Sequence, residues 1–92
     1  MNDSRDEGLS IMVDPKDVHA LKAVRTEFAK RGIDCTRADI RVHHGVCHIR
    51  GTLAKLPHAV FEDLDEEIHH LVKVIRQRPD VREVALEIVS VR

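Results

Sequence analysis

The stretch Ile40-Arg41-Val42-His43-His44-Gly45-Val46-Cys47-His48-Ile49-Arg50-Gly51 constrains this chain more than any other. Two runs in which apolar and polar residues alternate are separated by His44-Gly45, the pattern of two half-buried strands joined by a tight hairpin turn. A two-residue turn there sets Val42 opposite Cys47 and Ile40 opposite Ile49. Four apolar side chains then share one side of the ribbon. Arg41 opposite His48, His43 opposite Val46 and Asp39 opposite Arg50 occupy the other. A slip of one residue would mix the two sets, so the patterning itself specifies the register. Gly45 accepts positive φ at the second turn position, whereas His44 suits the first less well, which leaves a longer turn as the alternative.

The flanks read as helices and one more strand. Asp14 suits an N-cap, Pro15 the first helical position, and Asp17 the first turn. Val18, Leu21, Val24 (or the stem of Arg25) and Phe28 follow the helical period, and Lys30-Arg31-Gly32 closes the segment. Ile33 to Ala38 reads as a loop, and Leu53 to Pro57 as a connection into a second helix. That helix is predicted to begin at Pro57 or a little later and to run to Gln77. Its stripe is Val60, Leu64, Ile68, Leu71 and Ile75. Glu62 to Glu67 crowd its start and Lys73, Arg76 and Arg78 its end, as the helix dipole favours. Pro79-Asp80 stops it. Val84, Leu86 and Ile88 then alternate with Ala85, Glu87 and Val89 in a final strand.

Residues 1–8 are polar and acidic and read as a flexible tail, and 9–92 as one domain. Helices beside a small mixed sheet make an α+β domain of two layers, in the order αββαβ, with both helices on one face. The apolar run Leu9 to Val13 adds an alternative: as an edge strand it extends the sheet, and as an inner strand it makes the domain βαββαβ and ferredoxin-like.

Asp39-Ile40-Arg41-Val42, then Gly45-Val46-Cys47-His48-Ile49-Arg50-Gly51-Thr52-Leu53, and later Pro79-Asp80-Val81 with Val84, resemble the BON domain, a small bacterial αββαβ module. The resemblance spans about residues 15 to 91 and rests on glycines, a proline and alternating apolar positions. Asp80 stands where the family pattern has Gly, and the stretch from Gly51 to Pro79 is longer than in the family. The resemblance implies binding of other proteins or of phospholipid surfaces, and no catalytic residues.

Among 92 residues, the only aromatic rings of the Phe, Tyr and Trp class are Phe28 and Phe61, and the net charge is -1. Base-stacking platforms need aromatic faces and RNA readers of the KH type need a GxxG loop, so no nucleic-acid partner is expected. The polar start lacks the basic and apolar regions of an export signal, and no apolar run approaches the ~18 residues that cross a bilayer. A cytoplasmic protein is expected, with Cys35 and Cys47 as free thiols, since they form no CxxC pair.

Seven histidines raise the question of a metal. His43 and His48 share the open face, with Glu87 nearby on the last strand, but they are diagonal rather than opposed and read as solvated strand residues. Asp65 with His69, and Glu66 with His70, have the spacing of helix-surface ion pairs, and the HExxH pattern is absent. Cys47 and His48 point to opposite sides of one strand, so no nucleophile and base engage. Neither an enzyme, a metal site nor a cofactor is expected.

What remains is the open face. Residues 36–55 carry Arg37, Arg41, Arg50 and Lys55 against Asp39 alone. The expectation is a non-enzymatic interaction module that engages a protein partner or a second copy through Arg41, His43, Val46, His48 and Arg50. A homodimer through the edge of the last strand fits the same reading. The alternative is peripheral binding to an anionic phospholipid surface through the arginines.

Overall fold

The computed structural model describes residues 14–91, so the expectations for residues 1–8 and for Leu9 to Val13 fall outside the described residues. Helix α1 (Pro15–Arg31) starts where the cap chemistry predicts, with the Asp14 carboxylate accepting from the backbone N–H of Lys16 at 2.9 Å. It ends on Gly32. Its buried line is Ala20, Val24 and Phe28, spaced i, i+4, i+8. Val18, placed on the stripe by its spacing, is 39% exposed, and Arg25 lies outside. Ala20, fully buried, holds the place on the stripe that the spacing gave to Val18.

Strand β1 (Ile33–His43) begins directly after Gly32, so the segment Ile33 to Ala38 is strand rather than loop. β2 (Val46–Lys55) takes in Leu53 to Lys55, the first part of the segment expected to be a connection. The two pair antiparallel with Val42 on Cys47, Ile40 on Ile49, Arg41 on His48, His43 on Val46 and Asp39 on Arg50, the register expected from the patterning. The turn is the two-residue one: His44 and Gly45 have φ of 52° and 80°, both left-handed, as a type I′ turn requires.

The register shifts between Asp34, which faces Ala54, and Arg37, which faces Thr52. Cys35 and Thr36 therefore stand against Leu53 alone, a β-bulge of two residues against one. The bulge changes the phase of the strand. Ile33 and Cys35 on one side of it, and Ala38, Ile40 and Val42 on the other, all reach the same core although their spacing is not uniformly even. Asp34 secures it by accepting from the N–H of Thr36 at 2.9 Å. That bond holds the Asp34 carboxyl below its ordinary range.

Helix α2 (Leu64–Arg76) starts later than the stripe suggests. Asp63 is its N-cap, accepting from the N–H of Glu66 at 3.3 Å, and Asp65, Glu66 and Glu67 fill its first turn. Val60 lies ahead of the helix and is 96% exposed. Leu64, Ile68, Leu71 and Ile75 are buried. β3 (Glu83–Val91) pairs parallel with β2, completing a three-stranded mixed sheet in the order β1-β2-β3. β2 and β3 pair directly, with no strand between them among the described residues.

Both helices cover the same face of this α+β sheet. Their buried residues join Ile33, Ile40, Cys47, Ile49, Leu53 and Val81 in a single core. Arg31 ties the two helices together: its guanidinium reaches Glu67 on α2 at 2.7 Å and Glu27 on its own helix at 3.0 Å. The hairpin tip is fastened from both sides. The two Asp17 carboxylate oxygens accept from the N–H groups of His44 and Gly45 at 2.9 and 3.1 Å. On the other side Arg82 donates its backbone N–H to the Gly45 carbonyl at 2.8 Å and its Nε to the His44 carbonyl at 3.0 Å.

Candidate functional site

Alternation along the paired strands builds the face opposite the helices, and the registers arrange it in rows. At the tip, His43, Val46 and Glu83 lie side by side. Next come Arg41, His48 and Ala85, then Asp39, Arg50 and Glu87, then Arg37, Thr52 and Val89. Beyond the bulge the last row is Asp34, Ala54 and Val91. Arg41, His43, His48 and Arg50 are exposed and Val46 is half-buried, so the five residues singled out from the sequence share one surface that no described element covers. Val89 and Val91, 65% and 47% exposed, give its far end an apolar character.

The electrostatics differ from the local count. Arg41 Nε lies 2.8 Å from Asp39 Oδ2, and Arg50 Nε lies 3.0 Å from Glu87 Oε1. The basic excess of residues 36–55 is offset on this face by Glu83 and Glu87 of β3. Lys55 does not contribute to it: its ammonium sits over the Phe61 ring, 5.4 Å from the centroid. The face mixes its charges: Arg37, Arg41 and Arg50 stand against Asp34 and Asp39 on β1 and Glu83 and Glu87 on β3.

Two concavities border the array. A shallow depression of about 660 Å³ lies over Gly51, between Arg37, Asp39, Arg50 and Glu87. A groove of about 410 Å³ runs between α1 and β1, with Val18, Leu21, Ile40 and Val42 among its lining and Asp14, Asp17, Arg41, His43 and His48 completing it. The groove was not legible in the sequence, since it needs the packing of α1 beside β1. Its signal is Val18, which keeps the helical period yet stays partly exposed.

The remaining sequence candidates are dispersed. The carboxylate of Glu87 is on Arg50, one row from His48, and the His43 ring lies against that of His44 at 4.2 Å. Among the described residues no group of three or more His, Cys, Asp and Glu side chains is arranged to hold a metal ion. Asp65 accepts from the Ser90 hydroxyl on β3 at 2.6 Å. Both cysteines are free thiols. Cys47 is sealed in the core while His48 is exposed, so the two do not meet. Burial pushes the Cys47 thiol up to about 11 and raises that of Cys35 as well. Cys47, with no exposed surface, serves as a packing group. Arg78 and Asp80 form a two-point ion pair of 2.9 and 2.8 Å. Comparison with protein-family models, with curated proteins and with solved structures finds no match.

Proposed function

We propose that this chain is a non-enzymatic interaction module of the BON-like αββαβ kind, which docks another protein on the open face of its sheet. The supporting observation is the asymmetry of the two layers. Both helices seal one face, while the other presents Arg41, His43, Val46, His48 and Arg50 in adjacent rows with nothing across them among the described residues. A mixed sheet whose second face is uncovered offers partners a flat, polar surface with an apolar end, the composition of a non-obligate protein interface. The order of elements also agrees with what the BON resemblance implies.

An anionic membrane is disfavoured as the partner, because Glu83 and Glu87 share the face and oppose the arginines in the field of acidic lipid. No described helix is long and apolar enough to cross a membrane. Free thiols fit a reducing compartment, and we assign the protein to the cytoplasm.

The test replaces Arg41 and Arg50 by Glu together and follows partner capture from the cell's own extract, alongside sedimentation with vesicles rich in phosphatidylserine. Loss of a captured protein with no vesicle binding is the expected result. Capture unaffected by the double substitution removes the open face from consideration, and vesicle binding that fades as salt rises replaces a protein partner by a lipid one.

A further inference from the structure

We infer that copies of this chain join edge to edge, β3 of one molecule adding antiparallel to β1 of the next, in the register that sets Arg37 on Glu87 and Arg41 on Glu83. Among the described residues the sheet ends at β1 on one side and at β3 on the other. An end strand presents a row of backbone N–H and C=O groups outward. The two strands run in opposite directions, so neighbours in one orientation meet with antiparallel edges. Side chains set opposite one another then belong to the same face of the joined sheet, which allows only registers that differ by steps of two. Arg37 and Arg41 are four residues apart on the open side of β1, and Glu83 and Glu87 four apart on the open side of β3. One register satisfies both pairs at once. A shift of two residues in either direction sets Asp39 on Glu83 or on Glu87. In the matched register Asp39 comes onto Ala85 and keeps Arg41 at 2.8 Å, while Glu87 stands between Arg50 of its own sheet, at 3.0 Å, and Arg37 of the next copy. Two β3 strands side by side have no such match, since β3 carries no cation.

The helix side of the same junction supplies its apolar part. Leu86 lies beside Ile49, which is fully buried, yet Leu86 itself is 41% exposed. At the other end of the sheet, the groove between α1 and β1 is lined by Val18, Leu21, Ile40 and Val42, with Val18 39% exposed. The register that pairs the charges also sets Val84 on Ile40 and Leu86 on the small Ala38, bringing both to the α1 side of the neighbour's β1, where the groove lies. Two apolar side chains left partly uncovered at opposite ends of the molecule thus gain cover at one contact. The bulge at Cys35-Thr36 ends the match, so the new ladder covers Arg37 to His43, about 23 Å at about 3.3 Å per residue. Each junction is small and its ion pairs are exposed, so association is weak, reversible and sensitive to salt. Two joined copies leave β1 of one and β3 of the other unfilled, and a third adds as the second did. The open face stays exposed in every copy, so the inference stands apart from what docks there.

Sedimentation equilibrium of the full chain over a concentration series measures it. The mean mass should climb past that of a dimer without a plateau, and association should loosen about tenfold or more between about 50 mM and 1 M salt. A variant with Arg37→Glu and Arg41→Glu spoils β1 and spares β3. By itself it should associate about tenfold more weakly or less still, and in excess over the unmodified chain it should stop growth at dimers. A second variant with Glu83→Arg and Glu87→Arg should be equally weak alone, and an equimolar mixture of the two should regain growth, which requires both to be folded. Leu86→Gln, outside the docking residues, should weaken association about tenfold while circular dichroism and partner capture stay unchanged. An unmodified chain that is monomeric at its highest concentration overturns the inference and leaves the docking face standing. A plateau at the dimer overturns it in favour of a closed two-fold pair. Association unchanged by all three variants, or no recovery on mixing two variants that circular dichroism shows folded, places the contact elsewhere and overturns it too.

Discussion

Replacing Gly51 by Ala probes the close approach of β1 to β2 on which the rows of the open face depend. Gly51 has φ of 118°, and a Cβ built there falls 2.6 Å from the Arg37 carbonyl oxygen and 2.9 Å from the Ala38 Cα. Two terms follow. The conformation is one that side-chain-bearing residues adopt at a cost of about 1–3 kcal/mol. The clash is with backbone of a paired strand, which cannot swing aside as a side chain would, and forced overpacking adds about 1–3 kcal/mol. The expected loss is about 3 kcal/mol or more. The control is Gly45→Ala. Its φ of 80° carries the backbone term, but the nearest atom to the new Cβ is Arg82 Cγ at 3.4 Å, on a flexible side chain. About 1–2 kcal/mol is expected there. For a domain of this size each kcal/mol moves the melting temperature by roughly 4–8 °C, so Gly51→Ala should melt at least about 12 °C below the parent chain. Thermal and urea unfolding followed by circular dichroism supply the measurement. A Gly51→Ala chain no less stable than Gly45→Ala would refute the close approach, and with it the register shift beside Arg37.

Two further outcomes are expected. In the native chain a disulfide reagent should modify the half-buried Cys35 first and Cys47 only as the chain unfolds, since burial holds the Cys47 thiol at about 11; equal rates for both would contradict the buried placement. The two-point contact from Arg78 lowers the Asp80 carboxyl in the folded chain, so its contribution is present above the unfolded value of about 3.9 and is lost as pH falls through the folded one. Asp80→Asn should thus flatten the acid limb of a stability-versus-pH curve below about pH 4 and remove under about 1 kcal/mol at neutral pH, the pair being partly exposed. An unaltered acid limb would show the contact to be absent in solution.

Where local chemistry decides, the sequence was legible. Asp14, Pro15 and Gly32 bound α1, and the alternation around His44-Gly45 sets the hairpin register, because caps and tight turns draw on neighbours in the chain. The start of β1 was hidden by its bulge: Ile33 and Cys35 are out of phase with Ala38, Ile40 and Val42, so period-two reading stops at Asp39. Val60 fits the period of α2, yet the Asp63 cap with Glu66 three residues on outweighs one more apolar position. The candidate residues are legible because they alternate, but the charge around them is not. Glu83 and Glu87 arrive from a strand beyond α2, and only the parallel pairing of β3 sets them beside Val46 and Arg50. Asp17 was legible as a first-turn acid but not as the anchor of the hairpin tip, which depends on tertiary placement.

The bulge has a consequence for solubility. β1 runs antiparallel to β2 and β3 parallel to it, so the two outer strands point in opposite directions. Among the described residues neither rim carries a further strand, so the last strand of one molecule can add to the first strand of the next, and such addition has no natural end. Kinking at Cys35-Thr36 interrupts the row of backbone donors and acceptors that an arriving strand would have to match, leaving Arg37 to His43 as its unbroken part. A chain straightened at that point would be the one prone to form fibres.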